Sequence, residues 1–201
     1  MGLSIVTYTV RMSRWEPDAR ERLVRAALDL FDEQGYSATT VTQIAERAGL
    51  TKSTFFRHFP DKREVLFAGQ DTLCRLLEKG IAASPASATP LEAVAGALDA
   101  VAGAFTPERR DLGPKMHAAI MASSELQERE ALKRVGLATA ITSALKERGV
   151  LEPTASLAAE LGVLALSTAS ASWSNPTNRM DLATLAHHAL RELHTASTAL
   201  M

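Results

Sequence analysis

AERAGLTKSTFFRHFPDKREVL, residues 45 to 66, decides how this chain folds. Gly49 separates one short segment from the next, and Pro60 ends the second because proline cannot continue the backbone hydrogen-bond ladder. Thr51 can cap the helix between them. At 3.6 residues per turn, Phe55 and Phe59 fall together on an inward face while Ser53 and Arg57 point away. Lys52 and Phe56 flank one side of that face, and Thr54 and His58 flank the other. The pattern describes a helix with a hydrophobic root, an exposed tip and hydrogen-bonding shoulders.

Working outward, TTVTQIAERAGL (39–50) places Thr40 and Gln43 at capping-box spacing, where hydroxyl and amide satisfy each other's free backbone donors. Ile44, Ala45, Ala48, Leu50 and Phe55 supply an apolar inner corner. Two short helices about a glycine turn make a helix-turn-helix, whose second helix can enter the major groove of DNA. Before it, PDARERLVRAALDLFDEQG (17–35) reads as a longer helix. Pro17 suits its first position, Asp18 and Glu21 its first turn, Gly35 its end, and Leu23, Ala27, Leu30 and Phe31 form its buried stripe. Asp61 and Glu64 repeat the capping pattern at the start of a fourth helix.

Downstream, SPASATP (84–90) is the clearest linker by composition. Helices are expected over about 91–105, 107–122, 124–148, 153–173 and 181–199, with no strand pairing after residue 12. The fold class is therefore all-α. Residues 1–14 read as a flexible extension, 15–61 as a three-helix domain carrying the helix-turn-helix, and 62–201 as a larger helical domain for regulation and dimerisation.

The formal net charge of −1 over 201 residues gives no global pull toward nucleic acid, so local charge must carry any such function. Thr42, Thr54, His58 and Lys62 are the expected phosphate contacts, and Thr40 is also expected at the DNA-binding surface. Lys52, Ser53 and Arg57 are expected at base edges or the adjoining backbone, with Phe56 beside them. A lone cysteine, Cys74, cannot form an internal disulfide and fits a reducing cytoplasm. The apolar window 157–171 is shorter than the roughly 20 residues of a spanning helix and contains Glu160, so no membrane is expected as a partner.

In the larger domain, Ala155, Ala158, Gly162, Ala165, Ala169 and Ser172 recur at steps of three and four, a stripe that another helix backbone can approach closely. Leu157, Leu161 and Leu164 are expected to face the protomer's own core. With Leu182, Leu185, Ala189 and Leu193 on the final helix, the small-residue stripe would build a four-helix homodimer interface; the alternative is that both helices pack within one chain. Phe105, Met116, His117, Ile120, Met121 and Trp173 would line an apolar ligand cavity.

No phosphate-binding loop, paired-cysteine spacing or nucleophile elbow is present, so no cofactor, metal or catalytic residue is expected. His187 and His194 lie about 10.5 Å apart along a helix, too far to share an ion. An enzyme using His117 with Glu125 or Asp111 as acid and base is the remotest reading, and a ligand-binding helical dimer without DNA affinity is another.

TTVTQIAERAGLTKSTFFRHFPDKREVLF (39–67) resembles the N-terminal domain of tetracycline-repressor (TetR) type transcriptional regulators, the likeness covering roughly residues 17 to 67. The resemblance implies a homodimer whose two reading heads meet successive major grooves of a partly palindromic, double-stranded operator. It also implies a small-molecule effector in the C-terminal domain that changes their separation, with repression as the usual outcome. Phe56 stands where the family usually has tyrosine, which removes a phenolic hydroxyl and leaves stacking or contact with a thymine methyl.

Overall fold

The computed structural model describes residues 19–67 and 69–200, the side chains of 107–109 excepted. The expected extension over residues 1–14, with Pro17 and Asp18, lies outside the described residues. These are helical throughout: α1 (Ala19–Gln34), α2 (Val41–Arg47), α3 (Lys52–His58), α4 (Glu64–Phe67), α5 (Gln70–Ala83), α6 (Pro90–Ala102), α7 (Pro107–Met121), α8 (Ser124–Glu147), α9 (Thr154–Ser174) and α10 (Leu182–Thr198).

Local chemistry sets the first three. The predicted stripe of α1 is buried, and the N–H of Gly35 closes the helix on the Phe31 carbonyl with a φ of 83°. Thr40 and Gln43 complete the capping box of α2, and Thr51 accepts from the Thr54 N–H to cap α3. The fourth helix departs from expectation. Asp61 accepts from the N–H groups of Arg63 and Glu64, but α4 lasts one turn before Gly69, at φ 104°, redirects the chain into α5. The Glu64 side chain turns to Arg129 instead of closing a reciprocal box.

Two apolar cores result. The head core joins α1, α2 and α3 and runs on through Val65, Leu66 and Phe67, past residue 61; Ala119 of α7 and Leu126 of α8 enter it from the body. The body core gathers α5, α6, α8, α9 and α10. Residues 84–90, expected as a linker, form a short surface connection between α5 and α6 of this bundle. Thr89 and Glu92 make a capping box, and Arg148 donates to the carbonyls of Ile81, Ser84 and Pro85.

The α9 expectation is reversed. Ala155, Ala158, Gly162, Ala165 and Ala169 are buried inside their own chain, while Leu157 and Leu164 are 56% and 39% exposed. The reason is distance. A Cβ added to Gly162 would lie 2.6 Å from Cγ1 of Val94 on α6 and 3.5 Å from Ile141 on α8, so the small stripe lets those helices close in. On α10, Leu182 and Ala189 are buried and Leu185 and Leu193 partly buried against the same core. Of the ten residues expected at a dimer interface, Ser172 alone is exposed. At 21 residues, α9 is also longer than the expected window, enough by length and composition to cross a membrane, yet here it packs against α6, α7, α8 and α10.

Candidate nucleic-acid interface

The helix-turn-helix is held from beneath by aromatic packing. Phe55 and Phe59 are fully buried one turn apart, their ring centroids 5.5 Å from each other, on Ile44 and Ala45. The turn closes where the N–H of Leu50 reaches the Ala45 carbonyl at 2.8 Å. Gly49 takes a φ of 66° there, and the Arg22 guanidinium, which donates to the Ala48 carbonyl, occupies the space a Cβ would need.

This root sends Lys52, Ser53, Phe56 and Arg57 outward, all exposed. The Phe56 ring stands edge-on against Phe55, centroids 5.5 Å apart at 83°, and the Lys52 ammonium lies 6.0 Å from its centroid. Thr42 is also exposed, in the first turn of α2. The Thr40 hydroxyl, the cap of α2, is shared with Gln43, and the Thr54 hydroxyl lies 2.9 Å from that of Thr51, the cap of α3.

Two expected phosphate contacts face elsewhere. The His58 Nε2 atom is buried without a hydrogen-bond partner, so that nitrogen is not offered at the surface. The Lys62 ammonium donates to the carbonyls of Tyr36 at 2.6 Å and Thr39 at 2.9 Å and lies 3.9 Å from the Tyr36 ring centroid. Burial lowers its pKa. Lys62 is a staple: it fixes the backbone just ahead of Thr40, where α2 begins.

Sequence reasoning missed the contacts that join head to body. The Tyr36 hydroxyl donates to Glu125, which also lies 3.5 Å from Arg63. Arg129 pairs with Glu64 at 2.8 Å, donates to Gln70 and stacks over the Phe67 ring. Lys115 pairs with Asp29. These partners come from remote segments, and no local spacing signals them.

The six expected pocket residues do not converge. Met116 and Ile120, with Leu112, pack on the head core, because the apolar stripe of α7 faces α1. His117 and Met121 are exposed. Only Phe105 and Trp173 meet, edge to face at 5.8 Å, with the Arg110 guanidinium also 5.8 Å from the indole and bonded to the carbonyls of Asn175 and Asn178. His187 pairs with Asp99 and His188 with Glu192, and no group of three or more potential metal ligands occurs among the described residues. Cys74 is half-buried beside α8, and burial raises its thiol pKa, which opposes thiolate reactivity.

An aromatic root carrying an outward cationic helix, joined to a larger helical body, is the architecture of a helix-turn-helix transcriptional regulator. Residues 23–68 match the family model of bacterial regulatory proteins, tetR family. The chain is 43% identical over 84 residues to the HTH-type transcriptional regulator TcmR of Streptomyces glaucescens, covering 42% of this chain and 37% of that protein. It is 35% identical over 96 residues to BetI of Rhizobium meliloti (strain 1021), covering 46% and 47%. It thus matches less than half the length of either relative. Among solved structures, FadR of Thermus thermophilus, a TetR-family repressor in complex with lauroyl-CoA, aligns with a TM-score of 0.53 and 29% identity over 87% of this chain and 92% of that one. A putative TetR-family regulator from Syntrophomonas wolfei shares the fold, with a TM-score of 0.61 at 16% identity over 91% and 96% of the two chains. Residues 23–68 thus carry the N-terminal domain of TetR-type regulators, and the chain as a whole is similar in fold to solved regulators of that family.

Proposed function

We propose that this protein is a ligand-responsive repressor acting in the bacterial cytoplasm, where two copies grip a partly palindromic operator and block transcription. The observation that carries the reading is the outward set Lys52, Ser53, Phe56 and Arg57, held on the buried pair Phe55 and Phe59. A rigid apolar root fixes where the tip points, and such a tip can read base edges while neighbouring cations neutralise phosphates. Thr42 joins it from the start of α2.

In this reading the two copies meet through the outward leucines of α9, Leu157 and Leu164, with the exposed part of Leu161 and the outer face of α10. The effector belongs to the helical body. Because the Thermus regulator is solved with lauroyl-CoA, acyl-CoA thioesters are the first class to try.

Selection of bound fragments from a random DNA library at two salt concentrations tests the proposal. A palindrome with half-sites about one helical turn apart, lost steeply as salt rises, is the expected result. Weak binding with no enriched motif would refute it. Addition of lauroyl-CoA to the bound operator then asks whether that thioester class releases it.

A further inference from the structure

The chain leaves the head through a bend. After α4 ends at Phe67, Gly69 stands at a φ of 104° with nothing within 4 Å of the place a Cβ would take, and its carbonyl accepts the Leu73 N–H as α5 begins. No side chain caps α5 there, and a glycine in the left-handed region turns at little steric cost. The bend alone therefore leaves the angle between head and body open. Apolar contact does not set it either, because the packing of Leu112, Met116 and Ile120 on the head core is non-directional.

Arg129, in the second turn of α8, reaches both sides of the bend. Its Nε donates to Glu64 before Gly69 at 2.8 Å, and its Nη1 donates to Gln70 after it at 3.0 Å. Between them, its guanidinium carbon lies 5.2 Å from the ring centroid of the buried Phe67. The Arg129 and Glu64 side chains are only 22% and 23% exposed, so water competes weakly for the pair. Gln70 is seated as closely: a Cβ on Gly136 of α8 would lie 2.5 Å from its Nε2. A planar guanidinium holds its donors in a rigid fork, so the acceptors on the two sides of Gly69 stand at a set separation.

We propose that Arg129 is a positioning residue for operator recognition: by locking the bend at Gly69 it sets the direction in which each head leaves the body, and with it the half-site spacing that the dimer accepts. The inference rests on the dimeric DNA reading proposed above. One added base pair between half-sites turns the second by about 35° around the duplex axis, since a full turn takes about 10–10.5 bp. A locked head cannot follow that rotation, whereas a head free at Gly69 can.

The test uses the full chain and the operator it selects from a random library, rebuilt with one or two base pairs added or removed between half-sites, beside a duplex carrying a single half-site. Wild type should lose about tenfold in affinity for one base pair, part of the roughly 10²–10⁴-fold that linking two heads supplies. Arg129→Met keeps an apolar stem on Phe67 and removes the fork. It should cut that loss to about threefold or less and leave the half-site affinity of the folded protein unchanged. Gln70→Ala removes only the far acceptor and should flatten the spacing profile in the same direction, so the comparison stands even where Arg129→Met fails to fold. A profile as steep in the variants as in the wild type, a wild type indifferent to spacing, or equal losses on operator and half-site would overturn the inference while leaving the regulator intact. A library that yields no operator, or only a single half-site, would overturn the dimeric reading and this inference with it.

Discussion

The hydroxyl of Tyr36 donates to Oε1 of Glu125 at 3.0 Å, joining residues 89 positions apart. Tyr36 lies just beyond α1 and packs edge-on against Phe31, and Glu125 lies in the first turn of α8, so the bond ties head to body. On its other side, the Tyr36 carbonyl accepts from Lys62, which also holds the Thr39 carbonyl. A body residue is therefore linked through Tyr36 and Lys62 to the start of α2.

Tyr36→Phe should cost about 1 kcal/mol, the usual net worth of one hydrogen bond. Its pH dependence identifies the cause. Burial and the Glu125 hydrogen bond raise the phenol's pKa above its ordinary 10.0. A group raised in this way contributes stability that is complete below the unfolded pKa and is lost as pH climbs above it. Urea melts should therefore show a constant gap between wild type and Tyr36→Phe below pH 10.0, closing above it. A gap that does not change with pH would assign the loss to packing alone.

Lys62 and Arg57 should separate in salt. Arg57 is exposed on the outer side of α3, so Arg57→Ala should reduce the slope of log affinity against log salt by about 1, as expected when one phosphate contact is lost. Lys62→Met keeps the apolar stem but removes two hydrogen bonds from a charged donor, so the folded head should lose about 2 kcal/mol. The salt slope of the folded fraction should stay at the wild-type value. If Lys62→Met flattens the slope as Arg57→Ala does, its ammonium reaches phosphate despite the two carbonyls.

The parts of this head legible in the sequence are those fixed within a few residues: Thr40 with Gln43, Gly49, Thr51, and the phenylalanine root. Each acts on its own turn of backbone. Long-range partners were not legible, since nothing near Tyr36 names Glu125 and nothing near Glu64 names Arg129. Met116 and Ile120 pack on the head core and not around a cavity, since an apolar stripe declares that it is buried without saying against what. On α9, two stripes competed for the core, and side-chain hydropathy favoured the leucines. Backbone approach decided otherwise, because only the alanine and glycine side admits Val94 and Ile141 at the observed distance.

Gly49→Ala should loosen the turn between α2 and α3. At a φ of 66° a Cβ carries intrinsic strain of about 1–2 kcal/mol, and the Arg22 Nη2 atom would be only 2.8 Å from it. Arg22 would have to release the Ala48 carbonyl. Thermal melts should fall accordingly, and operator affinity should drop more than the loss of folded protein accounts for, because α3 is no longer fixed relative to α2. A fall in stability with unchanged intrinsic affinity would show that the phenylalanine root alone positions α3.

The two faces of α9 make opposite predictions for assembly. Gly162→Ala forces a methyl to within 2.6 Å of Val94, which is fully buried and cannot swing aside. Overpacking of this kind costs about 1–3 kcal/mol, so the protomer should unfold at lower urea. Any change in its association should follow from that loss. Leu157→Asp with Leu164→Asp changes only exposed positions, so helix content should survive, while in the proposed dimer two apolar contacts would become two carboxylates facing their counterparts in the partner. Sedimentation velocity should then show a monomer with wild-type circular dichroism, and operator binding should collapse because one head alone spans one half-site. If the aspartate pair sediments as the wild-type protein does while Gly162→Ala splits the dimer without lowering stability, the interface is not this face of α9.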